Sequence, residues 1–319
     1  MKGIANPDAI TVGFLLIENF SLLSYAMTIE PLRAANTLSG QQLYRWVHIS
    51  VDGSPVRASN GVLVSSDYKA CGPIAMDRLF VCAGGNPASF NHAPAFRWLK
   101  QLSRKGVIIC GISGGPYLLA RAGLLNGYRF TIHWEHLPAL VEEFPHLEPA
   151  RGLYVIDRDR LTCAGGLAVL DMMHEVIEGD YGALLASAVG RWFLQTEIRP
   201  ADSPQRSNII GRLTRVSARL RQLLSIIEAN LEEPVSREGL AAHAGLSLRQ
   251  LDRLFHSELG TTPRAYYLAA RLERARMLLL QTAMPVLDIA IACGFQSASH
   301  FSRAYKRQFG AAPRLERKR

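Results

Sequence analysis

A chain of 319 residues, 48% apolar and 20% charged, is long for one hydrophobic core and suits two globular domains, which sets aside disordered, fibrous and low-complexity classes. No apolar run reaches the ~18 residues of a membrane span, and the opening MKGIANPDAI lacks the basic-then-apolar pattern of a secretion signal, so a cytoplasmic protein without a membrane partner is expected. The net charge of +9 is confined to one region: residues 201–319 hold 19 Lys+Arg against 10 Asp+Glu, leaving residues 1–200 with 17 of each sign. A polyanionic partner for the C-terminal third follows, because phosphate contacts supply most non-specific nucleic-acid affinity; a basic solubilising face would carry the same charge.

From the N-terminus, apolar runs at 10–17, 46–51, 79–83 and 107–110, with shorter ones at 154–156 and 161–163, predict buried strands. Amphipathic patterns at 24–36, 93–104, 115–122, 135–143, 167–179 and 183–197 predict the helices between and after them. Strands alternating with helices give an α/β fold with a doubly wound, mostly parallel sheet. Ligands on such sheets bind beyond the C-terminal strand ends, so functional residues are expected just after the strands.

Two glycine-rich turns stand there. Ala83-Gly84-Gly85-Asn86 follows one strand, and the run from Val107 to Pro116 carries another into Ser113-Gly114-Gly115 and a helix. Closely spaced backbone N–H groups and a helix start suit a carboxylate. Tight turns alone would explain either segment; the pair, each directly after a predicted strand, favours a pocket. Glu30 and Trp134 would complement a cationic group by charge and cation–π contact, and suit packing or a solvated surface equally well. His133 reads as a structural or a functional histidine with similar weight. The cysteines at 71, 82, 110, 163 and 293 form no CxxC pair and read as reduced, buried thiols. Neither a metal nor a cofactor is expected.

The pattern breaks at Arg199-Pro200-Ala201-Asp202-Ser203-Pro204-Gln205, where two prolines and small polar residues predict a linker. This divides the chain into a domain over 1–199, a linker over 200–208 and a wholly helical domain over 209–319. Within the last, 213–231 reads as a long amphipathic helix and 266–280 as a bridging one.

Residues 236–263 and 286–313 repeat one pattern: a helix, a short turn with one glycine (Gly245, Gly294), a serine-led helix with basic residues, then Gly-x-x-Pro. Ser247 with Gln250 forms a capping box that starts the second helix. Leu240, Leu251, Leu254 and Phe255 have core spacing, as do Ala290 and Phe301 in the second copy. Arg249, Gln250 and Arg253 then face outward in the first repeat, and Ser299, His300, Arg303 and Lys306 in the second. Arginine can pair with guanine O6 and N7, and glutamine with adenine N6 and N7, so two helices reading double-stranded DNA are expected.

The C-terminal part is similar to the AraC/XylS family of transcription regulators. The matching residues are 246–260 with Pro263, Arg271-Leu272-Glu273-Arg274-Ala275, Ile289-Ala290, Cys293-Gly294-Phe295, His300-Phe301-Ser302-Arg303, and Phe309-Gly310 with Pro313. The resemblance implies two helices entering successive major-groove segments, with base contact carried onto Arg249, Asp252, Arg253, Ser299, His300 and Arg303. The elbow at Ser113, with the segments 119–125 and 131–134, resembles the DJ-1/PfpI, class I glutamine amidotransferase-like domain; fused to the helical part it resembles the GlxA-like subgroup.

In catalytic members of that superfamily the elbow residue is a cysteine with a neighbouring acid or histidine. The resemblance puts Ser113 in the cysteine's place and Ser24 near the acid's. It therefore implies a non-catalytic, flavodoxin-like sensor domain, with an amidohydrolase or glyoxalase-like enzyme as the alternative. The segments 29–33, 111–115, 133–137 and 154–160 resemble regulators of arginine, glycine betaine and carnitine catabolism. They imply a small nitrogen-containing effector at Glu30, Gly84, Gly85, Asn86, Ser113, Gly114, His133 and Trp134, a homodimer, and activation through RNA polymerase.

Overall fold

A computed structural model describes residues 9–205, 217–282 and 284–316, and the chain divides into two compact units, Met1–Gln205 and Arg206–Arg319. The first unit is built on strands β1 (Ile10–Leu16), β2 (Tyr44–Ser50), β5 (Tyr68–Lys69), β6 (Arg78–Ala83), β7 (Ile108–Ser113), β8 (Tyr154–Asp157) and β9 (Arg160–Cys163). They form one sheet in the order β5-β2-β1-β6-β7-β9-β8. Every pairing is parallel except that of β8 with β9. The central order is that of a flavodoxin-like doubly wound sheet, with its switch point between β1 and β6.

Strand alternation sends successive side chains to opposite faces. Phe14, Leu16, Phe80, Cys82 and Cys110 pack with Leu32, Met172 and Val189, from helices α1 (Leu22–Ser39), α5 (Ala168–Tyr181) and α6 (Ala183–Trp192). Leu15, Val81 and Ile109 pack with Trp98, Leu119 and Leu140, from α2 (Ala93–Arg104), α3 (Gly115–Arg121) and α4 (Leu137–Glu143). Helices cover both faces because both are apolar.

Three features were not legible beforehand. A two-stranded hairpin, β3 (Val56–Arg57) with β4 (Leu63–Val64), and the edge strand β5 have only two residues per strand, too few to display a period. Helix α6 stops at Trp192 rather than continuing to 197, because Leu194 turns left-handed at φ 56° and Gln195 N donates back to Gly190 O. The chain after it is not free either. Arg199 forks onto Asp171, whose side chain is 2% exposed, with Nη2 at 2.6 Å. Ala201 O accepts from Leu153 N at 2.7 Å. Residues 200–205, expected to open a linker, are thus hydrogen-bonded into the first unit. Four of the five cysteines are buried; Cys71 is exposed, contrary to expectation.

The second unit comprises α7 (Ala218–Ala229), α8 (Arg237–His243), α9 (Leu248–Leu259), α10 (Pro263–Gln281), α11 (Val286–Ala292), α12 (Ala298–Phe309) and α13 (Pro313–Glu316). The start of the helix expected over 213–231 lies outside the described residues. Two cores form on opposite halves of α10. Tyr267 joins Leu220, Leu224, Leu240, Leu251 and Phe255, while Leu272, Ala275 and Leu279 join Ile289, Ala290, Phe301 and Tyr305. One helix thereby carries both repeats.

Candidate effector pocket and nucleic-acid interface

At the sheet's switch point a cavity of about 280 Å³ opens between the loops that follow the central strands. The loop after β1 supplies Asn19 and Ser21, the first turn of α1 supplies Ser24, the turn after β6 supplies Gly84 and Gly85, and β7 ends in Ser113. His133, Glu135 and His136 come from the segment before α4, Ser59 from the β3–β4 hairpin and Gly166 from the turn before α5. A more open depression of about 370 Å³ lies elsewhere, lined by Tyr128, Arg129, His146 and Asp157 among others; it does not gather the loops that follow the central strands.

Ser113 is held at φ 59°, a left-handed conformation that L-residues seldom adopt and that marks a strained strand-to-helix elbow. The tight turn exists because Gly115 has no side chain: a Cβ there would fall 2.1 Å from Val81 O. Ser113 O accepts from His133 N at 3.3 Å, which joins the elbow to the histidine segment. Ser24 is buried, and its Oγ donates to Ser21 Oγ at 3.0 Å and accepts from Gly166 N at 2.8 Å.

Burial pushes the His133 imidazole down to about 4, so the ring is neutral near pH 7. His133, Glu135 and His136 each bring one possible metal-ligand atom within 4.8 Å of the others, a donor set compatible with a transition metal. All three sit on one turn, closed by His136 N donating to His133 O at 2.9 Å, which by itself accounts for their proximity.

Of the residues anticipated for an effector, Gly84, Gly85, Ser113 and His133 meet in this cavity. Gly114 lies directly beside it, where a Cβ would sit 3.2 Å from His136 Nε2. The other three are placed elsewhere. Glu30 pairs with Arg33 at 2.6 Å along α1, Asn86 precedes a short 3-10 turn, and the Trp134 ring packs at 5.2 Å from His133 without lining the cavity.

In the second unit, α9 and α12 each follow a glycine turn and a serine cap: Ser247 accepts from Gln250 N, and Ser297 from His300 N. Arg249 and Arg253 are exposed on α9, as are Ser299, His300, Arg303 and Lys306 on α12. Gln250 is also exposed, but its Oε1 accepts from Ser247 N at 2.8 Å to complete the capping box. That oxygen is occupied by the helix cap, so reading adenine through it would cost the cap. Asp252 pairs with Arg237 of α8, which ties the two helices of the motif together. Arg271 of α10 donates to Cys293 O at 2.6 Å and lies over the Phe295 ring, fixing the second turn.

A DJ-1/PfpI family profile matches residues 11–179 and a helix-turn-helix domain profile matches residues 240–319. The chain is 43% identical to the HTH-type transcriptional regulator GlxA of Rhizobium meliloti, over 97% of this chain and 95% of that one. It is 41% identical to the regulator GbdR of Pseudomonas aeruginosa, over 98% and 84%. Among solved structures, that of an AraC family transcriptional regulator from Pseudomonas putida is 26% identical, with a TM-score of 0.51, covering 58% of this chain and 99% of that chain. The chain belongs to the AraC-family regulators that carry an N-terminal DJ-1/PfpI domain.

The regulator is a DNA-binding protein, and the chemistry of this cavity departs from that of an enzyme with a thiol nucleophile. The nearby thiols of Cys110 and Cys163 are fully buried and pushed up to about 12 by burial, which leaves them protonated and inert. The pocket is lined by hydroxyls, an amide, two imidazoles, one carboxylate and glycine backbone; no Lys or Arg lines it among the described residues. Glu135 and His136 could have been singled out from the sequence through their place beside His133. Ser59 could not, since nothing local marks a hairpin that returns over a distant loop.

Proposed function

We propose that the regulator senses a small nitrogen-containing zwitterion in this pocket and does so without catalysis. The observation that carries this reading is the lining itself. A single carboxylate and no cationic side chain favour a ligand with a positive end. Hydroxyls and glycine N–H groups suit its carboxylate. Catalysis is disfavoured because the elbow presents the Ser113 hydroxyl, which needs a strong base to become a nucleophile; the residue matched to the family's acid is the hydrogen-bonded Ser24.

In this reading Arg249, Arg253, Ser299, His300, Arg303 and Lys306 contact DNA. A homodimer in the cytoplasm activates transcription through RNA polymerase when the effector binds the DNA-competent arrangement more tightly. Absence of a membrane-spanning helix among the described residues is compatible with that location.

The test screens glycine betaine, L-carnitine and L-arginine for thermal stabilisation of the full-length protein, then assays Ser113→Ala in a promoter-reporter strain. Stabilisation by one of them, with inducer-dependent transcription kept in the variant, is the expected result. Turnover of the stabilising compound that disappears in Ser113→Ala would establish an enzyme instead.

A further inference from the structure

Gln205, the last residue of the first unit, is bonded to backbone groups on either side of the pocket residue His133. Gln205 accepts at Oε1 from Trp134 N at 2.8 Å, and its Nε2 lies 2.9 Å from Ile132 O, 2.9 Å from Gly152 O and 3.0 Å from Thr131 Oγ1. A carboxamide has one acceptor oxygen and two N–H donors, so both ends of this one are engaged. Ile132 O and Trp134 N flank His133, so the side chain pairs with that stretch much as a neighbouring strand would. The N–H of His133 itself goes to Ser113 O. His133 is therefore gripped on one side by the elbow of the pocket and on the other by the residue that hands the chain to the DNA-binding unit at Arg206.

We propose that Gln205 is the positioning residue that couples the pocket to the DNA-binding unit. The proposal rests on the reading of this cavity as the effector site. A ligand that touches His133 or Glu135 favours one arrangement of the 131–136 turn, and with it one strength of the Gln205 contact. By linkage, whatever the DNA-binding unit does to the chain at Gln205 is returned to the turn with the same coupling free energy. The surrounding bonds hold the chain on either side of this contact. Thr131 is fully buried and its N–H is held by Thr162 Oγ1 at 2.9 Å, and Arg199 and Ala201 anchor the preceding chain. Gln205 is the last described residue before the second unit.

Reciprocity allows a test that needs no effector. Full-length wild type, Gln205→Ala and Gln205→Glu are compared by hydrogen exchange at the Trp134 amide, with and without a duplex selected by the full-length protein from a random pool. Gln205→Glu keeps the acceptor for Trp134 N and loses the donors to Ile132 O and Gly152 O. Thermal melting checks that each variant is folded.

In the wild type, DNA is expected to change exchange at Trp134 on the order of tenfold. Gln205→Ala should exchange faster and lose the response to DNA, with Gln205→Glu between the two. An unchanged DNA response in Gln205→Ala, or none in the wild type, overturns the proposal. A wild type that responds to DNA at Trp134 but is stabilised by none of the three zwitterions would instead refute the assigned effector class and leave the coupling intact.

Discussion

His133 concentrates the pocket's chemistry in one side chain. Its imidazole has an ordinary value of 6.5 and is pushed down to about 4 by burial, so the folded state resists protonation that the unfolded chain accepts. Between pH 6.5 and 4 the unfolded state binds more protons, and stability must fall as pH falls through that window. The full effect is present above 6.5 and is gone below 4, with an upper size of about 3 kcal/mol; the 27% exposure of the side chain will reduce it. Urea titrations of the full chain at pH 7 and pH 4.5 should show this loss, and His133→Gln should reduce the difference. An unaltered pH dependence in the variant would mean that other groups set it. The need for a residue after the strands was readable from the sheet pattern. The depth of His133 was not, because it depends on Ser113 and Gln205, 20 and more residues away in either direction.

At the level of elements, the two helix-turn-helix copies look alike in sequence and differ in how tightly their turns are packed. Gly245 and Gly294 have φ of 61° and 72°, but a Cβ on Gly245 meets open space while one on Gly294 would sit 2.5 Å from Glu232 O. Gly245→Ala should therefore cost about 1 kcal/mol from backbone strain alone. Gly294→Ala should cost more, by about 1–3 kcal/mol, from the clash with a backbone that side-chain motion cannot relieve. Thermal denaturation of the two variants compares them directly; equal losses would show that the second turn is free to shift. On the helices that follow, Arg253→Ala and Arg303→Ala should each weaken specific DNA binding by about 1–3 kcal/mol and relax preference at one base position. Gln250→Ala should act chiefly on stability, since its oxygen completes a cap. Retained affinity and base preference in both arginine variants, measured by anisotropy on a selected duplex, would place the reading surface elsewhere.

Across the whole molecule, charge separates the two parts of the chain. All of the net +9 falls after residue 200, while residues 1–200 carry equal numbers of both signs and hold the cavity at the sheet's switch point. DNA affinity should therefore drop steeply with salt, on the order of 10³-fold between 50 and 200 mM if six or more phosphates are contacted. Lys100→Ala with Lys105→Ala, both exposed on the first unit, should leave the slope unchanged, whereas Lys306→Ala should lower it by about one. A shallower slope in the double-lysine variant would bring the first unit into the DNA contact.

The amino-acid order alone determined what depends on local periodicity and composition: the alternation that makes a parallel sheet, the capped and repeated helices of the helix-turn-helix unit, and the charge confined to the C-terminal part of the chain. These are short-range properties, since period, cap and turn chemistry act within a few residues. Tertiary structure decided what depends on distant segments meeting. It brought Ser59 and Gly166 to the pocket and seated Arg199 on the buried carboxylate of Asp171. It also took the Pro-rich stretch that reads as a free linker and bonded its last residue, Gln205, across His133. No local pattern encodes that contact, because its partners are backbone groups at 132, 134 and 152 that only the folded sheet presents together.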